Sequence, residues 1–526
     1  MRFFNTAGPV DPGSHYCLPS LHRIDPNHIE LLIEEKKYFV MYAPWQSGKT
    51  SYLLTLMKHL NDTGKYHCLY FNLEVGQSAR ENVLRGVKAI LSEMATCARV
   101  YLNDDFPEKN WADILGENGE DAAFGKMLTL WAEQSRVPLV LLIDKIDTLA
   151  GDTLISILRQ LRAGYTRRPG AFPQSVLLCG ICDIRDYRIR SSKENAVITG
   201  GTAFNIKAEA LRMEDFTKDE MTDLYRQHTI ETGQVFSDEA FDEAWEFTQG
   251  QPWLVNALGY ESCFKIEETR DRTREITWET INQSAENIIR RRDTHIEQLA
   301  DVLWDKQVQK IIEPILIGKS FDDGLNFDDV QYVKDLGLVK DQDGKLAIAN
   351  GIYEEAIPRE LSWTVQMGIQ EQAESYQASD GRLDMDKLMS AFQDFFKNHS
   401  EQWIGKFEYK EAAPLLLIQA FLQHIIRKNG RMKRNYGLGM KHTDILVTWH
   451  YNNNIQKIFI GLKFLHDFPE TPLSKDVKQT REYVKNYEAD EGHLVIFDRT
   501  PDRSWDLKLS EYKRKVRGKR IRVWGM

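Results

Sequence analysis

The stretch VMYAPWQSGKTSYLL constrains this chain more than any other. An apolar β-rich run, YFVMYA, passes through Ala43, Pro44, Trp45, Gln46, Ser47, Gly48, Lys49, Thr50 and Ser51 into the helix-forming run TSYLLTLMKHLN. The pattern A-x-x-x-x-G-K-T between a strand and a helix is the setting that a phosphate-binding loop requires. Backbone N–H groups at the helix start then surround phosphates, Lys49 reaches the β and γ oxygens, and the Thr50 hydroxyl ligates magnesium. Gly48 is expected where a Cβ would collide with an approaching ligand. Ala43 to Ser51 is thus the candidate cofactor-binding set, with ATP and Mg2+ as the implied cofactors. Trp45 either covers the nucleotide or packs on a neighbouring subdomain.

A second stretch completes half of this chemistry. VPLVLLIDKIDTLAGD reads as a buried strand ending in Asp144, the expected partner of Thr50 and its metal. The next residue is Lys145, whose ammonium has three donors and no acceptor and so cannot orient or deprotonate water. Asp147, expected in the turn after the strand, is the candidate substitute. Lys145 otherwise pairs with the γ-phosphate or points to solvent. Mg-ATP binding is therefore expected to be intact and hydrolysis impaired.

With 526 residues the chain is too long for one core and implies three or four domains of about 150 residues. Hydrophobic residues at 42% and charged residues at 28% belong to a folded protein, so disorder can only be local. A net charge of -10 argues against bulk coating of nucleic acid and leaves room for local basic patches. No apolar run approaches the ~20 residues that span a bilayer, and MRFFNTAGPVDPGSHY lacks a basic region followed by an apolar core, so a cytoplasmic protein without a membrane partner is expected. Of six cysteines only Cys179 and Cys182 form C-x-x-C, in the apolar strand SVLLCGICDIRD, where structural burial is expected over zinc or redox chemistry.

Along the chain, 1–27 reads as an extended segment. Residues 28–205 alternate helices with the apolar runs YFVMYA, HCLYFNL, PLVLLID and SVLLCGI, which predicts a parallel sheet covered on both faces. Residues 206–293 read as a helical lid, with capped runs such as TKDEMTDLYRQHTIETG and SDEAFDEAWEFTQG. Residues 294–362 give helices and then GLVKDQDGKLAIAN, two strands with an Asp-Gly turn, as in a winged helix. A polar helical linker, 363–395, precedes a second α/β core over 396–526, which opens with the amphipathic helix EAAPLLLIQAFLQHIIRKNG.

The runs KKYFVMYAPWQSGKT, LLIDKIDTL, SVLLCGICDIRDYR, FNIKAEALRMEDFT and TQGQPWLVNAL resemble the bacterial AAA-like P-loop ATPases related to STAND and origin-recognition proteins. The resemblance covers about two thirds of the chain. It implies a glutamate where Lys145 stands, an arginine near Trp45, a sensor polar residue at Asp183 or Arg185, and a G-x-P turn at the lid, matched by Gly250 and Pro252. It also implies a winged-helix domain after the lid. The acidic run NFDDVQYVKDLG suits protein packing there better than DNA contact.

Residues 396–526 resemble the PD-(D/E)XK nuclease fold fused to such ATPases. That resemblance implies a carboxylate ending one strand, and a second carboxylate and a lysine two apart on the next, together holding magnesium on a phosphodiester. Asp444 fits the first place and the lysine is Lys463, while Gly461 stands where the second acid belongs. Glu411 is an additional candidate ligand, and Gln479 with Tyr483 shares one helical face. Arg427, Lys428, Arg431, Lys433 and Arg434, with the tail EYKRKVRGKRIRVWGM, form two basic runs, enough for a DNA-facing surface; KRIRVW is expected as an edge strand. The expectation is an ATP-binding switch controlling a DNA-contacting nuclease-fold domain. The alternatives are an active ATP-dependent nuclease, and a non-enzymatic protein in which ATP sets homo-oligomeric assembly.

Overall fold

A computed structural model describes the chain apart from residues 184–187, 192–195, 200, 202–203, 317–325, 343, 363–372, 405–411, 427–429, 437–442, 453, 466–473, 499–507 and 517–518. It divides into two compact units, Met1–His295 with Lys334–Leu338, and Ile296–Val333 with Val339–Met526.

The first unit opens with two short parallel strands, β1 (Phe3–Phe4) and β2 (His15–Tyr16). Its centre is a sheet of β3 (Tyr38–Tyr42), β4 (His67–Asn72), β5 (Leu139–Asp144), β6 (Ser175–Gly180) and, after the antiparallel pair β7 (Arg188–Ser191) and β8 (Ala196–Thr199), β9 (Lys207–Arg212). The strands run in the order β4-β5-β6-β3-β9 and every pairing is parallel. Successive side chains alternate between two cores. Leu139, Leu141 and Ile143 of β5 join one with Leu69, Phe71, Tyr38 and Val40, while Val140 and Leu142 join the other with Phe39, Met41 and Leu177. A strand buried on both faces needs an unbroken apolar run, which is why the expected four strands read as they do. The fifth, β9, was not among them: KAEALR lies at the sheet edge and is only half buried.

The lid helices follow. Lys218–Thr232 starts with a reciprocal Thr217–Glu220 capping box and ends at Gly233, φ 79°. Asp238–Thr248 starts at Ser237 and ends on left-handed Gln249. Pro252–Tyr260 and Trp278–Arg291 complete the group. The amino-terminal segment is a strap across these helices. Phe4 is fully buried among Tyr16, Tyr225 and His228, the Tyr16 hydroxyl meets His228 Nδ1 at 3.2 Å, and Trp253 Nε1 donates to the Thr6 carbonyl at 2.9 Å.

In the second unit β10 (Val339–Gln342) and β11 (Lys345–Ile348) form an antiparallel hairpin, with Gly344 at φ 76° in the turn. The helix Ala412–Ile426 is not amphipathic, as its sequence suggested. All its residues but His424 are buried, because Lys306–Leu316, Gly351–Leu361 and Met385–Ile404 pack around it. The sheet of this unit comprises β12 (Gly430–Tyr436), β13 (Thr443–Tyr451), β14 (Asn454–Leu465), β15 (Glu491–Asp498), β16 (Ser510–Val516) and β17 (Lys519–Gly525), in the order β12-β13-β14-β15-β17-β16. The run KRIRVW lies in β17, an interior strand parallel to β15, and its apolar members Ile521, Val523 and Trp524 are buried. The edge strands are β12 and β16, so Arg431, Lys433 and Arg434 lie at one edge and Lys513, Arg514 and Lys515 at the other. Arg427 and Lys428 fall outside the described residues.

Two glycines separate steric from conformational need. Gly250 has φ +80° and a Cβ there would stand 1.8 Å from the Phe216 carbonyl oxygen, whereas Gly64 has φ +67° with nothing within 4 Å. Gly250→Ala should therefore cost about 3 kcal/mol or more and Gly64→Ala about 1 kcal/mol. Urea unfolding of the two variants checks this, and equal losses would contradict it.

Candidate functional site

All five strands of the first sheet end at the same edge, where ligands of open parallel sheets bind. From β3 the chain enters the loop at Ala43, whose amide donates to the Gly180 carbonyl at 3.3 Å, and leaves it through the helix Lys49–Asp62. Ala43 stands where the motif commonly has glycine and lacks a positive φ, so alanine costs nothing there. Gln46 at φ 56° and Gly48 at φ 93° make the turn. At Gly48 the nearest atom to an added Cβ is Arg23 Nη1 at 3.6 Å. Within the protein the glycine is thus required by its backbone conformation.

The loop's carbonyls and side chains are tied down from several sides. Ser47 Oγ donates to the Pro44 carbonyl at 2.8 Å, Arg23 Nη1 to the Ser47 carbonyl at 3.1 Å, and Gln251 Nε2 to the Trp45 carbonyl at 3.3 Å. Trp45 is therefore fastened to the lid through its backbone. Gln46 Oε1 meets His295 Nδ1 at 2.7 Å, and the His295 ring stacks on Trp253 at 4.9 Å. Burial pushes the His295 imidazole down to about 3, so it stays neutral at physiological pH. Ser51 Oγ accepts from the Val10 amide at 2.9 Å, which brings the strap to the same helix. Pro252 occupies the first turn of its helix, while Gln251, the middle residue of the G-x-P turn, makes the contact to the loop. Arg23, Gln251 and His295 carry no local signal, because their partners lie far away in sequence.

Lys49 Nζ donates to the Ala43 and Pro44 carbonyls, both at 2.7 Å. Burial depresses its ammonium, against the pull of Asp147 and Asp144. Thr50 Oγ1 donates to Asp144 Oδ2 at 2.7 Å, and Tyr70 reaches the same oxygen at 3.1 Å. The other carboxylate oxygen accepts from the Lys145 amide at 2.8 Å, so Asp144, with no exposed surface, is held by three donors. A hydroxyl beside a carboxylate, both hard oxygens, suits Mg2+.

Lys145 does not turn toward the loop. It is left-handed at φ 55°, and its ammonium pairs with Glu74, in the turn that follows β4. Asn72 and Asp144 are register partners across β4 and β5, which brings the ends of these strands side by side. Asp147 sits in the short turn Ile146–Thr148. Burial raises its carboxyl above the usual range, against the pull of Lys49, and the Ile181 amide donates to it. Asp183 is buried and both its oxygens take Lys207 Nζ at 2.6 Å, so the expected sensor position is an internal ion pair; Arg185 lies outside the described residues. Cys179 and Cys182 are buried thiols not joined in a disulfide, and the Cys179 thiol leans on Asp144.

In the second unit Asp444 and Gly461 are direct partners across β13 and β14, and Lys463 follows two residues later on the same face. These three line one small cavity with Gln479 and Tyr483, from the helix Ser474–Asn486. Gln479 Nε2 donates to the Tyr483 hydroxyl at 3.4 Å. Burial pushes Asp444 up to about 7. Asp476, which sequence reasoning missed, also lines the cavity and takes the Lys463 ammonium. Glu411 falls outside the described residues.

By sequence the chain matches no family model and no curated protein. Among solved structures it is similar to the Walker-type ATPase PABY2304 of Pyrococcus abyssi, at 12% identity and a TM-score of 0.46 over 67% of this chain and 99% of that one. Cdc6p from Pyrobaculum aerophilum gives 15% identity and a TM-score of 0.37 over 68% and 98%. The RuvB Holliday junction branch migration motor of Thermotoga maritima gives 11% and 0.32 over 62% and 92%.

Proposed function

We propose that this chain is a Mg-ATP-binding switch whose nucleotide state controls a C-terminal nuclease-fold domain that contacts DNA. The observation that carries the nucleotide half is the 2.7 Å hydrogen bond from Thr50 to Asp144, made next to a lysine held over the loop's own carbonyls. In this reading the amides at the start of the helix Lys49–Asp62 take the phosphate oxygens. Lys49 exchanges the Ala43 and Pro44 carbonyls for the β and γ oxygens. Thr50 and Asp144 would hold Mg2+, which would supply positive charge to offset that of the phosphates. Neutral His295 and Gln251 keep the loop in shape without adding charge.

Turnover is the impaired half. Lys145 offers water no acceptor, and its charge is engaged by Glu74. A second reading is favoured by one observation, the half-buried Asp147 carboxylate within the electrostatic reach of Lys49. If Asp147 serves as the base, slow hydrolysis increases with pH through a value above the ordinary aspartate range, because the raised group must first lose its proton.

The support for the C-terminal half is the convergence of Asp444, Lys463, Gln479 and Tyr483 on one cavity. The basic residues carried by both edge strands support the DNA half of the reading. The competing view, ATP-gated homo-oligomer assembly, requires a nucleotide-dependent mass in solution, and an unchanged mass with ATP-dependent DNA retention sets it aside.

Two measurements test the nucleotide reading. Lys49→Ala should weaken Mg-ATP binding by about 10- to 100-fold, the worth of a charge-assisted phosphate contact, as read by calorimetry; equal affinity for the variant overturns the site. The double substitution Lys145→Glu with Glu74→Gln removes the ion pair and leaves an unengaged carboxylate acceptor at the end of β5. Phosphate release should then rise on the order of 100-fold over wild type. A rate that stays flat in this double variant while Asp147→Asn abolishes wild-type release favours Asp147 as base.

A further inference from the structure

The small cavity of the second unit holds an acid that the strand pattern does not predict. Asp444 on β13 faces Gly461 on β14, so the second carboxylate of a strand-borne pair is missing. A Cβ built at Gly461 would stand 3.5 Å from Asp444 Oδ1 and 3.4 Å from Thr480 Oγ1. Any longer side chain there would therefore run toward the helix Ser474–Asn486, which closes that side. One turn before Thr480 on this helix is Asp476, whose carbonyl accepts from the Thr480 hydroxyl at 2.9 Å. Residues four apart share a helical face, and Asp476 lines the cavity beside Thr480.

The state of Asp476 is what makes this more than proximity. It is only 6% exposed. One oxygen takes the Lys463 ammonium, and the other, Oδ2, finds no hydrogen-bond partner among the described residues. A buried carboxylate oxygen left unpaired costs about 1–3 kcal/mol or more and calls for an explanation, of which a bound ion is one. Charge points the same way: Asp444 and Asp476 bring two carboxylates to the cavity and Lys463 one ammonium. Among the described residues no cluster of three or more His, Cys, Asp or Glu is placed to hold a metal, which disfavours zinc. Two carboxylates with water completing the shell suit Mg2+ or Mn2+.

We propose that Asp476 supplies, from the helix, the carboxylate missing at Gly461, and that with Asp444 it forms a site for Mg2+ or Mn2+ beside Lys463. The assignment deepens the nuclease-fold reading of this domain and rests on it for the ligand class, a phosphodiester, but the cation site stands on these side chains alone. Lys463 is then a positioning residue that holds Asp476 toward the cavity.

Mn2+ binding to the full chain without nucleotide, followed by electron paramagnetic resonance, tests the assignment. The Thr50→Ala background removes the hydroxyl of the other cation site. Expected is one Mn2+ site in that background, weakened at least 10-fold by Asp476→Asn and by Asp444→Asn, with the circular dichroism spectrum and the cation-free melting transition of Asp476→Asn, each compared with wild type, serving as the check that its second unit folds. Should Asp476→Asn not fold, a Mn2+-dependent rise in the melting temperature of the Thr50→Ala protein supports the site, and no rise overturns it. Binding that Asp476→Asn leaves unchanged also overturns it. DNA retention is scored separately: a Mn2+ site dependent on Asp476 with no retained DNA leaves the cation site standing and removes the nuclease-fold reading. Retained DNA with Mn2+ binding indifferent to Asp476 does the reverse.

Discussion

The hydroxyl of Thr50 and the carboxylate of Asp144 meet at 2.7 Å although 94 residues separate them, and the arrangement around the loop depends on that meeting. It exists because β6 is inserted between β3 and β5, so the loop after β3 and the acid at the end of β5 flank one strand end. Both strands are parallel and doubly buried, which fixes where they stop relative to each other. Asp144 can remain a buried carboxylate because Thr50, Tyr70 and the Lys145 amide all donate to it. The loop then has to hold a left-handed Gln46 and Gly48 at this edge. A left-handed non-glycine costs on the order of 1–3 kcal/mol, offset by the side chains from 23, 251 and 295 that bind the loop. The amide face of the helix start is thereby left for a ligand.

Features set by local pattern were legible in the sequence. Four apolar runs became the four interior or doubly covered strands, TKDEMTDLYRQHTIETG became a helix with both predicted caps, and Thr50 found Asp144. Features set by who stands beside whom were not. KAEALR has no apolar run, because its positions are only half buried or exposed, unlike those of β4 at the opposite edge. KRIRVW alternates charge like an edge strand and yet sits inside the second sheet, since β16 covers it from the other side. The run EAAPLLLIQAFLQHIIRKNG is expected to form an amphipathic helix, whereas the packing of three helices buries Gln419 and Gln423 of Ala412–Ile426 with the rest.

The two anomalies of composition, a lysine after Asp144 and a glycine opposite Asp444, turn out to be answered by neighbours rather than left open. Glu74 arrives from the turn after β4 to meet Lys145, and Asp476 arrives from a helix to line the cavity on which Gly461 also opens. The answers differ in chemistry. At the first site the incoming carboxylate is about half exposed and is consumed in an ion pair with the residue that displaced the expected acid, so charge is balanced and no acceptor is gained. At the second the incoming carboxylate is buried, shares Lys463 with one oxygen only, and keeps the other without a partner among the described residues. Balance at the first site leaves Lys145 and Glu74 satisfied by each other. Imbalance at the second is what the proposed cation would answer, because a cation binding beside Asp444 and Asp476 favours their ionised forms and gives the unpaired oxygen a partner. A substituted catalytic position is therefore read correctly only with its spatial neighbours, which decide whether the loss is sealed off or made good.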